Sequence, residues 1–222
     1  MIADLRQVIE SALLVFAALL PIVNPMGAAP MFLVMTAGST REERAALAQR
    51  VAINGAIVLA VSLFIGTYVL DFFDLSTGVV RVAGGLLLCA FAWDLLRSDS
   101  APAALAAPSP LPSSARAFYP LTLPLTVGPG SIAVAITIGA NHSPTVRSLV
   151  VHAAGYLVGI ALLAATIYVS FAYAERLSRR LGEAGTHVML RLSAFILLCI
   201  GVQIVWNGAS ALLVGVIGRP AS

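Results

Sequence analysis

The sequence predicts an all-α integral membrane protein with six transmembrane helices in a 3+3 inverted repeat, the first and fourth helices broken near the midplane. Three observations carry that expectation. The 222-residue chain is 59% hydrophobic and only 10% charged, far more apolar than a soluble domain needs. About six apolar runs of membrane-crossing length follow one another along it. Two of them, one in each half, are interrupted by proline and glycine: LPIVNPMGAAP at 20–30 and PLTLPLTVGPGS at 120–131.

The runs fall at approximately 8–37 (broken), 48–70, 76–96, 117–140 (broken), 148–173 and 188–214. In the first break, Pro25 has no N–H and its ring clashes with the carbonyl of Pro21; Pro30 does the same to Met26. A residue before proline is pushed out of the helical region, so Asn24 is expected extended. It then acts as N-cap, with Pro25 at the first helical position. A half-helix beginning near Met26 would present unpaired N–H groups and a positive dipole end at the break. The second break repeats this, with Gly128 as cap, Pro129 first, and Gly130 and Ser131 offering N–H groups. Gly27, Gly128 and Gly130 allow close approach of a ligand or another backbone.

Depth gives the breaks their meaning. Residues 11–23 reach roughly 20 Å as a helix and 117–127 about 16 Å, both short of a ~30 Å hydrocarbon core. Both breaks are therefore expected inside the membrane. Irregular backbone there is tolerated only if it packs in protein or lines a wet cavity. Kinked helices without a ligand are the alternative, because proline and glycine are common in membrane helices.

The connections organise the chain. A Pro-, Ala- and Ser-rich linker at 98–116 separates a first repeat, 1–97, from a second, 117–222. There is no lysine, so all 13 basic residues are arginines. Arg41, Arg44, Arg50, Arg97, Arg116, Arg176, Arg179 and Arg180 follow the first, third and fifth runs; the other side has Arg6, Arg147 and Arg219. The arginine-rich side is expected to be cytoplasmic and both termini outside. Scattered among apolar runs, these arginines make no nucleic-acid surface, so no nucleic-acid partner is expected.

The halves also resemble each other. RVAGGLLLCA at 81–90 matches RLSAFILLCI at 191–200, and pairing Pro25 with Pro129 also pairs Gly55 with Gly159 and Phe64 with Tyr168. Three runs per half is an odd number, so the second half inserts upside down. The two breaks then face each other across a pseudo-two-fold axis.

No enzyme motif appears. Without lysine there is neither a P-loop lysine nor a Schiff base. His142, His152 and His187 are far apart, and no HExxH or GxSxG occurs. Neither catalysis nor a cofactor is expected. Cys89 and Cys199 read as small core residues. A coupling ion, Na⁺ or H⁺, is left open: the run interiors hold no acidic side chain for a proton relay, and a coupled cation would fall to freed carbonyls such as those of Pro21 and Leu125. Arg81 and Arg191 either snorkel to the interface or form a gate, Arg81 with a carboxylate such as Asp74. Asn54 and His152 read first as interhelical hydrogen-bond partners, with a ligand role as the alternative. Thr122, Thr126 and Ser131 either bind a solute or satisfy freed backbone.

NPMGAAPMFLVMT at 24–36 resembles the NPxGxxPxFLxLT signature of the MarC family of bacterial inner-membrane proteins. PLTLPLTVGPGSIA at 120–133 is similar to that family's second motif, PLxxPLxxGPG. The resemblance spans nearly the whole chain. It implies a six-helix inverted-repeat transporter in the bacterial inner membrane, related to the LysE-type exporters, with small neutral amino acids as a possible substrate.

These readings converge on one expected binding site: Asn24, Pro25, Met26, Gly27, Thr126, Gly128, Pro129, Gly130 and Ser131, with Asn54, Arg81 and Arg191 gating or supporting it. The half-helix N-termini would hold a carboxylate. The expected partners are a small-molecule substrate and the lipid bilayer; the oligomeric state is left open. Gly130→Leu is expected to abolish transport without affecting folding. A channel for small neutral solutes and a non-transporting membrane scaffold or assembly protein are the alternatives.

Overall fold

The computed structural model describes residues 2–97, 113–140 and 146–217. Residues 98–112, which make up most of the expected linker, and His142 and Arg219 lie outside them. Among the described residues every regular element is helical. The elements are α1 (Ile2–Val23), α2 (Pro25–Met35), α3 (Arg41–Phe72), α4 (Thr77–Arg97), the single turn α5 (Ser113–Arg116), a wide-turned segment (Ala117–Thr126), α6 (Pro129–Ala140), α7 (Val146–Ala172) and α8 (Ala174–Ile217). Five helices are long and apolar enough to cross a membrane, or six if the wide-turned segment and α6, bent by 73°, form one span.

Helix α1 is longer than the 11–23 stretch from which the depth of the first break is reckoned. It has 22 residues, about 33 Å at 1.5 Å per residue, and alone matches a hydrocarbon core. The helix extends beyond its apolar run because Asp4 sits in the first turn, where the dipole favours an acid. Arg6 and Glu10 then pair at i, i+4 across 2.7 Å. Helix α3 starts in the charged connection for a similar local reason. Glu43 N–H donates to Thr40 Oγ1 at 3.2 Å and Thr40 N–H to Glu43 Oε2 at 2.8 Å, a reciprocal cap.

The wide-turned segment is a correction. Tyr119 and Leu123, each before a proline, are non-helical. The Thr122 and Thr126 hydroxyls donate five residues back, to Ala117 O at 2.6 Å and Leu121 O at 2.7 Å. The α-helical length expected for 117–127 therefore does not apply. Helix α8 is bent at Gly182, whose φ of 67° suits glycine. Its apolar part is Val188–Val214.

Two close helix pairs frame the molecule. Helices α4 and α8 run antiparallel with backbones nearly touching: a Cβ on Gly85 would lie 2.9 Å from Gly201 O, and one on Gly208 2.7 Å from Gly78 O. Small residues permit such contact where lipid supplies no hydrophobic drive between helices. Helices α1 and α7 pair the same way through Gly155 and Gly159, which abut Val8 O and Ala12 O. A large apolar cluster joins α1, α2, α3, the wide-turned segment and α7, with Phe32 stacked on Phe171 at 4.5 Å. A smaller cluster of Leu88, Ala92, Leu197 and Ile204 belongs to α4 and α8.

The arginine-rich end ties the elements together. Arg44 donates to Thr36 O at 3.2 Å, Ser39 O at 3.3 Å and Glu175 Oε2 at 3.3 Å, and Arg116 donates to Met35 O at 2.8 Å. The orphan carbonyls ending α2 are thus satisfied by charged donors. Outward-facing residues are apolar and large: Tyr68, Phe72 and Trp206 are 70%, 82% and 65% exposed, as a lipid-facing surface requires. Cys89 is half-buried, but Cys199 is exposed on α8, correcting its assignment to the core. A small thiol is compatible with an apolar surroundings on either side of the helix.

Candidate functional site

The first interruption is built from a single residue. Asn24 adopts a left-handed conformation, φ 43° and ψ 58°, not the extended one expected before proline. Asn enters this region more readily than most residues. The geometry keeps helical bonds on both sides: Asn24 N–H donates to Leu20 O at 2.9 Å, and Ala28 N–H donates to Asn24 O at 3.0 Å. The Asn24 side chain caps α2 by accepting from Gly27 N–H at 3.2 Å. Pro25 opens α2, so the Pro21 carbonyl has no N–H four residues on.

The second interruption lies at Val127 and Gly128. The Ser131 hydroxyl and Ile132 N–H both donate to Gly128 O, at 2.8 Å and 3.2 Å. Pro129 opens α6, and it likewise leaves Leu125 O without a helical donor.

Both interruptions line one cavity of about 200 Å³, between the large cluster and the α4–α8 pair. Asn24 and Gly27 come from the first; Thr126, Gly128, Pro129 and Ser131 come from the second. Leu87, Leu88, Phe91 and Leu95 of α4 and Leu190, Ser193 and Leu197 of α8 supply further walls. Among the described residues its polar side chains are Asn24, Thr126, Ser131 and Ser193, and no ionisable side chain lines it. The Thr126 and Ser131 hydroxyls already donate to backbone carbonyls, so toward a ligand they are acceptors.

Several expected residues lie elsewhere. Pro25 is buried and Met26 is 59% exposed, and neither lines the cavity. Gly130 is buried against α4, where a Cβ would lie 3.0 Å from Leu88 Cδ2. Gly130→Leu is therefore a packing change between α6 and α4, not a clean probe of the cavity. Arg81 donates to Thr137 Oγ1 at 2.9 Å, in place of the expected carboxylate. Arg191 is exposed and Asn54 is half-buried on α3; none of the three lines the cavity.

Sequence reasoning missed Ser193. A Cβ placed on Gly27 would collide with Ser193 Oγ and Asn24 Nδ2, and would come within 2.7 Å of Ser193 Cβ. The available signal was its place in the repeated stretch: Ser193 stands where the first half has Ala83.

The MarC family integral membrane protein profile matches residues 9–213. The chain is 33% identical over 198 residues to the UPF0056 membrane protein YvbG of Bacillus subtilis, covering 87% of this chain and 92% of that protein. It is 31% identical over 201 residues to the UPF0056 membrane protein MJ1677 of Methanocaldococcus jannaschii, covering 88% and 94%. It is 30% identical over 214 residues to the UPF0056 inner membrane protein MarC of Escherichia coli O1:K1, covering 92% and 95%. No solved structure matches significantly. With the helical spans and this near full-length similarity together, the chain belongs to the MarC (UPF0056) family of multi-pass integral membrane proteins.

Proposed function

We propose that this protein is a secondary transporter, not an enzyme, that carries a small neutral solute, most simply glycine, alanine or serine. One observation carries the reading: residues from both interruptions line a single uncharged cavity. At about 200 Å³ it is below the ~300–1,000 Å³ of pockets for drug-sized ligands. The starts of α2 and α6 place positive dipole ends there, suited to a carboxylate. The segments just before each interruption end there too, and Leu125 among them carries a carbonyl without a helical donor, suited to an ammonium. A zwitterion fits both, while uncharged walls disfavour a solute with net charge.

A 3+3 inverted repeat with its breaks near the midplane is part of this reading. Its support is in the packing. Helix α4 pairs with α8, α3 with α7, α2 with α8 and α6 with α4, and exchanging the halves maps this set onto itself. Placing the breaks at mid-depth requires the charged first turns of α1, with Asp4, Arg6 and Glu10, to stand outside the hydrocarbon. Arginine bias then puts the termini outside a bacterial inner membrane. Rocking one repeat against the other would alternate access.

The test is uptake of labelled alanine and glycine into proteoliposomes, with and without preloaded unlabelled amino acid. The expected result is saturable uptake, stimulated by internal substrate and lost when Gly27 is replaced by valine. Uptake that is linear in concentration and indifferent to internal substrate would point to a channel and sink the carrier reading.

A further inference from the structure

Polar side chains within the apolar helices are bonded in a few recurring ways. The hydroxyls of Thr36, Ser62 and Thr166 donate to the carbonyl four residues back, at 2.7, 2.7 and 2.8 Å, a common bond for a helical hydroxyl. His152 meets Ser11 at 2.8 Å and Gln7 at 2.9 Å across α1 and α7. In the cavity, Thr126 and Ser131 commit their protons to backbone carbonyls. Two donors lining the same cavity depart from this pattern. Among the described residues, neither the Ser193 hydroxyl nor the Asn24 Nδ2 group has a hydrogen-bond partner.

Both donors come to one place. A Cβ built on Gly27 would meet Asn24 Nδ2 and Ser193 Oγ at once. The two groups therefore stand over the same face of the first turn of α2, close enough for a single acceptor atom to bond both. The orientation of the carboxamide is set, because its Oδ1 accepts from Gly27 N–H at 3.2 Å; Nδ2 is the end left for a ligand. Neither donor is sealed in protein. No fully buried side-chain nitrogen or oxygen among the described residues lacks a partner, and Asn24 and Ser193 both line the cavity.

We propose that Asn24 and Ser193 together form the carboxylate subsite of the cavity, with Ser193 selecting a carboxylate over a neutral group; this deepens, and rests on, the transport reading above. A carboxylate oxygen carries no proton and accepts from two donors at one point, and a charge-assisted bond is about twice as strong as a neutral one. The start of α2 adds its positive dipole end to the same place. At the second interruption the side chains present only lone pairs, on Thr126 and Ser131, beside the Leu125 carbonyl. That end suits an ammonium. The two interruptions are thus unequal: the first holds the acid group and the second the amine. The repeat in the sequence hides this difference, because Ser193 has Ala83 as its counterpart in the first half, and alanine has no hydroxyl to complete a matching subsite.

Packing and ligand contact are separable at both residues. The approach of α8 to α2 is made by Ser193 Cβ, 2.7 Å from the position a Cβ on Gly27 would take. Alanine at 193 keeps that atom and removes only the hydroxyl. Aspartate at 24 keeps an oxygen to cap Gly27 N–H and replaces only the Nδ2 donor, by an anionic acceptor.

The experiment is calorimetric titration of the detergent-solubilised protein with alanine and with alaninamide at about pH 6.5, where both keep the ammonium and only alanine carries a carboxylate. The unmodified protein is expected to prefer alanine by about tenfold or more. Ser193→Ala should lose most of that preference through weaker alanine binding, with its unfolding midpoint unchanged. Asn24→Asp should reverse the preference, because its carboxylate repels an anion and attracts the cationic amide. Ser131→Ala, at the amine end, should weaken both ligands alike and leave their ratio in place. An unchanged ratio in Ser193→Ala, or alanine still preferred by Asn24→Asp, overturns the proposal, as does failure of the unmodified protein to bind alanine. Binding with the expected ratios but no counterflow in proteoliposomes defeats the transport reading alone, because the titration needs no transport.

Discussion

Adding one methyl group at Gly27 gives the sharpest test of the cavity. In Gly27→Ala the new Cβ collides with Ser193 Oγ and Asn24 Nδ2 and lies 2.7 Å from Ser193 Cβ. Asn24 Nδ2 ends a flexible side chain and can rotate away, but only by giving up its present position over Gly27. Ser193 Cβ is fixed to the α8 backbone and cannot yield without moving the helix. Overpacking of this kind costs about 1–3 kcal/mol, and the displaced side chains move into the cavity. The remedy is specific: Ser193→Gly removes both the Cβ and the Oγ. The double variant should recover most of the lost stability, giving a coupling of about 0.5–3 kcal/mol. Thermal unfolding in detergent reads the stability, and alanine counterflow reads the site. Gly27→Ala with unchanged unfolding and counterflow would falsify the geometry. Strictly additive effects in the double variant would remove Ser193 from contact with Gly27.

Other outcomes follow from contacts elsewhere. Arg44→Ala strips donors from Thr36 O and Ser39 O and should cost about 1–3 kcal/mol, whereas Glu175→Ala, at 46% side-chain exposure, should cost under about 1 kcal/mol; comparing unfolding midpoints decides, and equal losses would refute the capping role. Arg44→Lys should fail to restore the loss, because an ammonium cannot reproduce the guanidinium fork. Thr40→Ala should destabilise by about 0.5–2 kcal/mol through loss of the α3 cap, with Thr40→Ser near wild type in the same assay. Gly201→Val forces a Cβ within 3.1 Å of Gly85 O and Cys89 N, so the yield of folded protein by size-exclusion chromatography should collapse, while Gly38→Val, with open space around it, should express normally.

The sequence by itself determined what local chemistry determines. Its composition put the chain in a membrane. Pro25 and Pro129 each fixed a helix start, because a missing N–H and a ring clash act on the adjacent turn whatever surrounds them. Asn24 could be named as a cap on the same grounds, although its left-handed backbone followed from helical bonds on both sides. Length arguments fared less well: Asp4, Arg6 and Glu10 are as helical as the 11–23 stretch they precede, and Pro120 with Pro124 replaces regular helix by wide turns.

Only tertiary structure decided which of these residues share a surface. Asn24 and Ser131 are far apart in sequence, yet they line one cavity because α4 and α8 close it, and those helices carry no proline to draw attention to them. Met26 faces outward and Gly130 meets Leu88, although both sit beside proline in the motifs. Ser193 enters beside Gly27, and His152 finds Ser11 and Gln7 across a glycine-lined helix pair. Such juxtapositions depend on helix rotation and on contacts between residues distant in the chain. Two adjacent motif residues on one helix point about 100° apart, so a motif can mark the place of a site without saying which of its side chains face it.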